Sequence, residues 1–378
     1  MKTTSVKTAT KTSANSMLVL GIESSCDETA VAVLLRTESG DIHILSSLIA
    51  SQDEAHAPYG GVVPEIAARA HMQKIEGLVL AAVQKANIEF KNLHAVAATA
   101  GPGLIGGVIT GLMCAKGLAL SLDIPLLAIN HLEGHALSPR LTDHCPFPYL
   151  LLLVSGGHTQ LLNVEGLGQY KRLGSTVDDA AGEAFDKTAK IMCLGFPGGP
   201  ALEKVAKNGD AGAISLPHPF KGKPHADFSF AGLKTATARA YANFGVATKK
   251  NKSDLAASFQ RTVTNIVCER TERAMDMFKR GQPKGVPLRF VVAGGVAANQ
   301  SIRKGLETLC AKHGFALIAP PPIYCTDNAA MIALAGVERL AAGYSDGLDA
   351  KARPRWPLDE KSARHNPASG SGRKGPKS

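Results

Sequence analysis

The 378-residue chain has only seven cysteines, at 26, 114, 145, 193, 268, 310 and 325, with no CxxC pair. An odd, scattered set argues against a disulfide framework and a cysteine zinc site, and fits a reducing compartment. Long apolar runs are missing too. The longest, YLLLLV at 149–154, is strand-sized, short of the ~18–20 residues of a membrane span. Residues 1–17 (MKTTSVKTATKTSANSM) contain no acid and no apolar h-region, so they do not read as a secretory signal. Their basic, Thr/Ser-rich composition is that of a transit peptide, but Arg is absent, and Met17 is an alternative start. The cytoplasm is the expected compartment, with the mitochondrion as alternative. The middle of the chain also lacks excess charge. Of the net +10, +3 lies in residues 1–16 (Lys2, Lys7, Lys11) and +6 in 351–378, where eight Lys/Arg face Asp359 and Glu360, leaving +1 for 17–350. Tails of this kind attract phosphate backbones without specifying a sequence, or simply keep a chain soluble.

What is present reads as α/β on a chain long enough for two domains. Residues 18–23 (LVLGIE), 24–29 (SSCDET) and 30–35 (AVAVLL) form a strand–turn–strand pattern. It recurs about 130 residues later as 149–154 (YLLLLV), 155–160 (SGGHTQ) and 161–164 (LLNV). A second element also recurs. AVAATA (95–100) leads through GPGLIGG (101–107) into a helix-like run at 108–121, and FVVA (290–293) through GGVAANQ (294–300) into SIRKGLETLCAK. Strand, glycine turn, helix is how backbone N–H groups are aimed at a phosphate. Two copies of each element point to a duplicated domain and a nucleotide-like ligand. Residues 179–192 read as a helix with Asp179, Glu183 and Asp186 on one face, expected to be solvated, and Ala181, Phe185, Ala189 and Met192 on another. Residues 208–228 read as a loop. The expected organisation is a disordered extension at 1–16, an N-terminal α/β domain at 17–145 completed by 330–350, a C-terminal α/β domain at 146–329, and a basic tail at 351–378, disordered beyond about 360.

The stretch NHLEGH (130–135) sets His131 and His135 on one face of a helix, as two ligands to one ion must be. A zinc-protease helix reads H-E-x-x-H, with the glutamate next to the first histidine. Here Glu133 lies about 200° around the helix from His131, which argues against a protease. Two histidines with no metal remain open on spacing alone. Asp327, in CTDNAA (325–330), stands just before an apolar helix-like run and is either its N-cap or a third ligand. Two histidines and a carboxylate leave open positions for substrate oxygens and suit iron(II) as well as zinc.

Together these motifs resemble the tRNA N6-adenosine threonylcarbamoyltransferase family, once described as O-sialoglycoprotein endopeptidases (glycoproteases), over roughly Leu18–Trp356. The resemblance rests on GIESSCDET (21–29), YGGVVPE (59–65), TAGPGLIGG (99–107), HLEGH (131–135), LLVSGGHTQL (152–161), DDAAGEAFDKTAK (178–190), PGGP (197–200), FSFAGLKT (228–235), AGGVAAN (293–299), CTDNAAMIA (325–333) and RPRWPL (353–358). The SGGH form is similar to the bacterial and mitochondrial branch. Leu153 stands where archaeal and eukaryotic relatives carry a tyrosine, so a tyrosine ligand is absent.

The resemblance implies two related α/β domains of the actin/Hsp70/sugar-kinase, ribonuclease H-like type with an interdomain nucleotide cleft. It implies an acyltransferase that moves a threonylcarbamoyl group from threonylcarbamoyl-AMP to the N6 amine of the adenosine beside the anticodon, in tRNAs reading ANN codons, releasing AMP. His131, His135 and Asp327 match metal ligands for one divalent ion per subunit, iron(II) first, zinc or magnesium as alternatives. Leu153, Val154, Ser155, Gly156, Gly157, Asp186, Gly199 and Asn299 match substrate contacts. Asp27, Glu28 and His158 are candidates for a catalytic base by their place at the hairpin tips. Implied partners are tRNA, a shorter non-catalytic paralogue and a small P-loop ATPase, with no membrane. The rivals are a metalloprotease, an ATPase or kinase of the same fold, and a non-catalytic scaffold, which would not need the His–His–Asp set.

Overall fold

The structure is a computed structural model describing residues 16–365 apart from Gly60, Phe196 and Lys284. The N-terminal extension (1–15) and the end of the basic tail (366–378) lie outside the described residues. The chain divides into two compact units. The first comprises Met1–Glu54, Val63–Gly134 and Asn328–Pro354; the second comprises Ala55–Val62, His135–Asp327 and Arg355–Ser378.

The first unit is built on a five-stranded sheet of β1 (Met17–Glu23), β2 (Thr29–Arg36), β3 (Ile42–Ala50), β4 (Ala95–Gly101) and β5 (Leu126–Asn130), ordered β3-β2-β1-β4-β5. The first three strands run antiparallel; β4 and β5 continue parallel to β1. Strands β4 and β5 are buried at every residue, as a parallel sheet covered on both faces requires. The helices Pro64–Lys85, Ile105–Leu122 and Ala329–Ala341 pack on this sheet. The last lies so close that a Cβ at Gly21 would stand 2.6 Å from the Ala329 carbonyl oxygen.

The Ile105–Leu122 helix corrects one expectation. With 18 residues and a mean hydropathy of 1.6, it has the length and composition of a membrane span. Its apolarity is diluted by glycine, alanine and Lys116 rather than concentrated in a run of large residues, so a scan for runs passes over it. It packs along β4 and is one-third buried.

The second unit repeats the plan. Strands β6 (Tyr149–Val154), β7 (Thr159–Gly166), β8 (Gln169–Ser175), β9 (Arg289–Ala293) and β10 (Ala316–Ile318) are ordered β10-β9-β6-β7-β8, again with an antiparallel triplet extended by parallel strands. The match of order and direction, strand for strand, makes the two sheets related α/β units of the ribonuclease H-like type. The 33-residue helix Lys249–Gly281, opened by a Thr248/Asn251 capping box, supplies much of this unit's core, including Phe259 and Phe278. The 208–228 segment contributes no strand or helix beyond one bridge between Thr176 and Phe228. The fully buried Arg270 holds part of it, donating to the carbonyls of Lys223 and His225 at 3.1 and 2.7 Å.

The tail is ordered further than composition suggested. Arg353 N–H donates to the Ala100 carbonyl at 2.7 Å, and a helix runs over Glu360–His365. Asp359 opens that helix, accepting from the Ser362 N–H and hydroxyl, and also takes the Arg172 N–H at 2.9 Å. These anchors hold a stretch whose composition alone reads as loose. All seven cysteines are free. Burial pushes the Cys145 and Cys268 thiols up to about 11 and Cys310 up to about 12, which leaves them inert at neutral pH.

Candidate functional site

Helix His131–Thr142 starts directly at the end of β5, where the Asn130 side chain accepts the Leu132 N–H at 2.9 Å. His131 and His135 therefore share one face, a turn apart. Pro139 has no N–H for the His135 carbonyl, and the Ser138 hydroxyl takes over that acceptor at 2.9 Å. The second histidine thus sits beside a local irregularity whose polar groups are still satisfied. Asp327 comes from the turn before the helix Ala329–Ala341. Its N-cap role, open on sequence, belongs instead to Asn328, whose side chain accepts the Met331 N–H at 3.0 Å. Asp327 faces His135, with Oδ1 3.0 Å from Nε2. One ligand atom from each of His131, His135 and Asp327 lies within 4.8 Å of the others.

This set fits a divalent ion. Ligand atoms about 2.1 Å from an ion and at right angles to each other stand about 3 Å apart, which is the His135–Asp327 separation. Both histidines are buried and Asp327 is partly exposed, so one side of the set opens to solvent. Behind His131, Glu23 Oε2 approaches Nδ1 at 2.9 Å, and the Ser25 hydroxyl lies 3.2 Å from the same nitrogen. Glu23 is itself fixed by the Ser25 N–H and the Thr99 hydroxyl. A carboxylate on Nδ1–H fixes the tautomer and leaves Nε2 as the donor atom, an arrangement typical of metal-binding imidazoles. Glu23 was not singled out in the sequence; its signal was its place at the end of β1 ahead of the polar turn.

One pocket among the described residues is lined by the second unit. It measures about 300 Å³ and includes Gly156, Asp186, Gly199 and Asn299 among its lining residues. Ligand pockets begin at about this size. Gly182, at the start of the Ala181–Ile191 helix, donates its N–H to the Ser155 carbonyl at 3.2 Å; a Cβ there would stand 2.7 Å from Gly156 Cα. The β6–β7 tip thus rests directly on that helix. Asp186 Oδ1 accepts the Gly198 N–H at 2.9 Å, tying this helix to the next, Gly198–Ala206. Asn299 caps Gln300–His313 by accepting from Ser301 and Ile302 N–H, and donates to Gln260 Oε1 at 3.0 Å.

Other expected contacts fall differently. Leu153 and Val154 are the buried last residues of β6, so neither side chain lines the pocket, and Ser155 and Gly157 do not line it either. The Ser155 N–H donates to the His158 carbonyl at 2.8 Å, which removes it from the expected phosphate cradle and leaves the exposed Gly156 and Gly157. The acidic stripe is solvated only in part: Asp179 lies ahead of the helix and is buried, whereas the Glu183 side chain stays 45% exposed. Lys187 bridges the two, 2.8 Å from Asp179 and 2.7 Å from Glu183. Phe185, read as core, is buried against Phe259 in an edge contact and also lines the pocket, as does Glu203, which sequence reasoning passed over.

The base candidates occupy separate tips: Asp27 and Glu28, half-buried, on β1–β2, and His158, half-buried, on β6–β7. The first tip is held by His71. Its Nε2–H donates to the Cys26 carbonyl at 3.1 Å, and Nδ1 accepts from the Thr29 hydroxyl at 2.8 Å and Gln52 at 3.3 Å. Burial holds this imidazole below its ordinary 6.5, against the opposing pull of the Cys26 carbonyl, Glu23 and Asp27.

Comparison with known proteins places these features in context. Residues 43–334 match a family model described as tRNA N6-adenosine threonylcarbamoyltransferase. The chain is 57% identical over 371 residues to the protein of that name from Maricaulis maris, covering 98% of both chains. It is 55% identical to the protein of that name from Brucella canis, covering 96% of this chain and all of that one. Among solved structures, HypF from T. kodakarensis aligns over 87% of this chain and 48% of its own at a TM-score of 0.57 and 15% identity, a likeness of fold alone.

Proposed function

This chain belongs to the tRNA N6-adenosine threonylcarbamoyltransferase family, and from that premise we propose how it carries out the transfer. It is an acyltransferase of tRNA modification. The donor in this reading is threonylcarbamoyl-AMP and the acceptor the N6 amine of the adenosine beside the anticodon in tRNAs reading ANN codons. The amine attacks the carbamoyl carbon, the bond from that carbon to the phosphate oxygen breaks, AMP leaves, and the amine loses a proton. An exocyclic adenine amine is a weak nucleophile, so alignment and stabilisation of charge on the carbonyl and phosphate oxygens carry the rate.

The observation that supports this reading is the convergence of Gly156, Asp186, Gly199 and Asn299, far apart in sequence, on one pocket. We assign the adenylate to it. The N–H of Gly156 approaches the phosphate, with Gly157 next to it just outside the pocket, and Asp186 and Asn299, locked by their own hydrogen bonds, orient the nucleoside. His131, His135 and Asp327 are compatible with a bound metal, which we propose is iron(II). When bound, such an ion supplies positive charge to developing oxyanions. Asp27, Glu28 and His158 remain the candidates for the base; pH–rate profiles of Asp27→Asn, Glu28→Gln and His158→Ala under single turnover assign it.

A protease reading loses ground, because the motif's glutamate is engaged by Arg339, with Nη2 2.6 Å from Glu133 Oε2. A protein partner is supported by an exposed apolar row on the first unit: Ile105, Ile109, Met113 and Leu120, with Met72 and Leu80 on the neighbouring helix. We assign the shorter paralogue to this face and propose that a small P-loop ATPase completes the complex. The decisive experiment incubates the protein with threonylcarbamoyl-AMP and unmodified tRNA, with and without those partners, and digests the RNA for the modified nucleoside. Absence of product in every combination overturns the reading.

A further inference from the structure

The glutamate inside HLEGH has no part in the chemistry above, yet it is 1% exposed and doubly engaged. Arg339 Nε donates to Glu133 Oε1 at 3.2 Å and Nη2 to Oε2 at 2.6 Å. One residue sits on the helix that carries the two histidines and the other on the helix that follows the Asp327 turn. Glu133 lies between His131 and His135 on their helix, and Arg339 lies on the helix Ala329–Ala341, which begins two residues after Asp327.

We propose that the Glu133–Arg339 pair is a positioning clamp that sets the register of these two helices, and thereby the distance of Asp327 from the histidines. Three physical points support it. Glu133 lies about 200° from His131 around its helix, so it faces away from the ligands and acts on them only through the helix. Next to it, Gly134 brings the helices together: a Cβ there would stand 2.9 Å from Ile332 Cδ1 and 3.1 Å from Met331 Cγ. Ile332 and Arg339 are seven residues apart, two turns on one face, so the helix is held at two heights and can neither slide nor roll. A buried ion pair contributes little net stability relative to an apolar contact. A two-pronged guanidinium–carboxylate contact does fix orientation, and metal ligands must be held to within about 0.5 Å.

The inference rests on the metal reading of His131, His135 and Asp327, and the test separates the two. Metal-free protein is titrated with Co(II), following the visible band, for wild type, His131→Ala, Glu133→Gln, Arg339→Lys and the double variant Glu133→Gln/Arg339→Gln. The melting temperature of each metal-free variant is recorded alongside. The clamp predicts that Glu133→Gln binds Co(II) about 10–100-fold more weakly with an altered band, the scale for outer residues that orient ligands. It also predicts that the double variant loses no more than Glu133→Gln alone, since the pair acts as one unit. Should Glu133→Gln fail to fold, Arg339→Lys, which keeps the charge and loses the fork, must show the same weakening. Wild-type affinity and an unchanged band in folded Glu133→Gln or Arg339→Lys, even with a lower melting temperature, overturn the clamp and leave a purely structural staple. Equal Co(II) binding by wild type and His131→Ala removes the metal reading itself, and the clamp with it.

Discussion

Replacing Gly182 with alanine is a severe test of the pocket, because the site leaves the new methyl nowhere to go. The Cβ would lie 2.7 Å from both Gly156 Cα and the Ser155 carbonyl oxygen. Carbon atoms rest at about 3.5–4.0 Å, so the β6–β7 tip and the Ala181–Ile191 helix must part by about 1 Å. Overpacking of this kind costs about 1–3 kcal/mol, offset by at most about 1 kcal/mol from alanine's better helix propensity. The functional loss is expected to exceed the loss of stability. The displaced atoms include Gly156, and about 1 Å of misplacement at a reacting site costs about 100-fold in rate. Urea unfolding gives the first quantity; AMP titration and single-turnover transfer to tRNA give the second. Gly199→Ala is the control for stability. It lines the same pocket, but its Cβ meets nothing within 4 Å, so stability is expected to stay within about 0.5 kcal/mol of wild type. A Gly182→Ala protein with wild-type stability and wild-type AMP affinity refutes the argument that the tip is set by this contact.

Three further expectations follow from the geometry. His131→Ala should lose bound metal, read by elemental analysis, and most transfer activity while keeping its fold; full turnover by the metal-free variant would remove the ion from the mechanism. Asn299→Ala should cost about 1 kcal/mol in urea unfolding through the lost cap of Gln300–His313, whereas Asn299→Asp should keep the cap and weaken AMP binding by adding a negative charge. Burial holds His71 below its ordinary 6.5 in the folded chain, so below about 6.5 the unfolded chain binds a proton that the folded one refuses. Stability should therefore fall as pH drops from that value, and His71→Gln should flatten the slope in urea midpoints measured between about pH 5 and 7; an unchanged slope would remove His71 as its source.

Much of the fold could be read because the duplicated hairpins and glycine turns are the most apolar and most punctuated parts of the chain. They became β1–β2, β6–β7 and the turns after β4 and β9. The strands that escaped notice are four: β3, β8 and β10 are half-exposed, mixed in character or only three residues long, so neither alternation nor an apolar run marks them, and the buried β5 is a five-residue apolar run that periodicity alone does not separate from a helix segment. At the site, the one-turn spacing of His131 and His135 was legible because a helix enforces it. Which of two neighbouring residues caps the helix after CTDNAA was not, since aspartate and asparagine cap almost equally well. Lys187 was invisible as a bridge because the spacing of three acids says nothing about which cation reaches back to two of them.

That division of labour at Asp327 and Asn328 makes the junction sensitive to a change that local folding would tolerate. Exchanging the two residues would give the helix an equally good first residue. It would also set a neutral amide against His135 in place of an anion. The polypeptide would register almost no difference, while any cation held there would lose its sole formal counter-charge among the three proposed ligands.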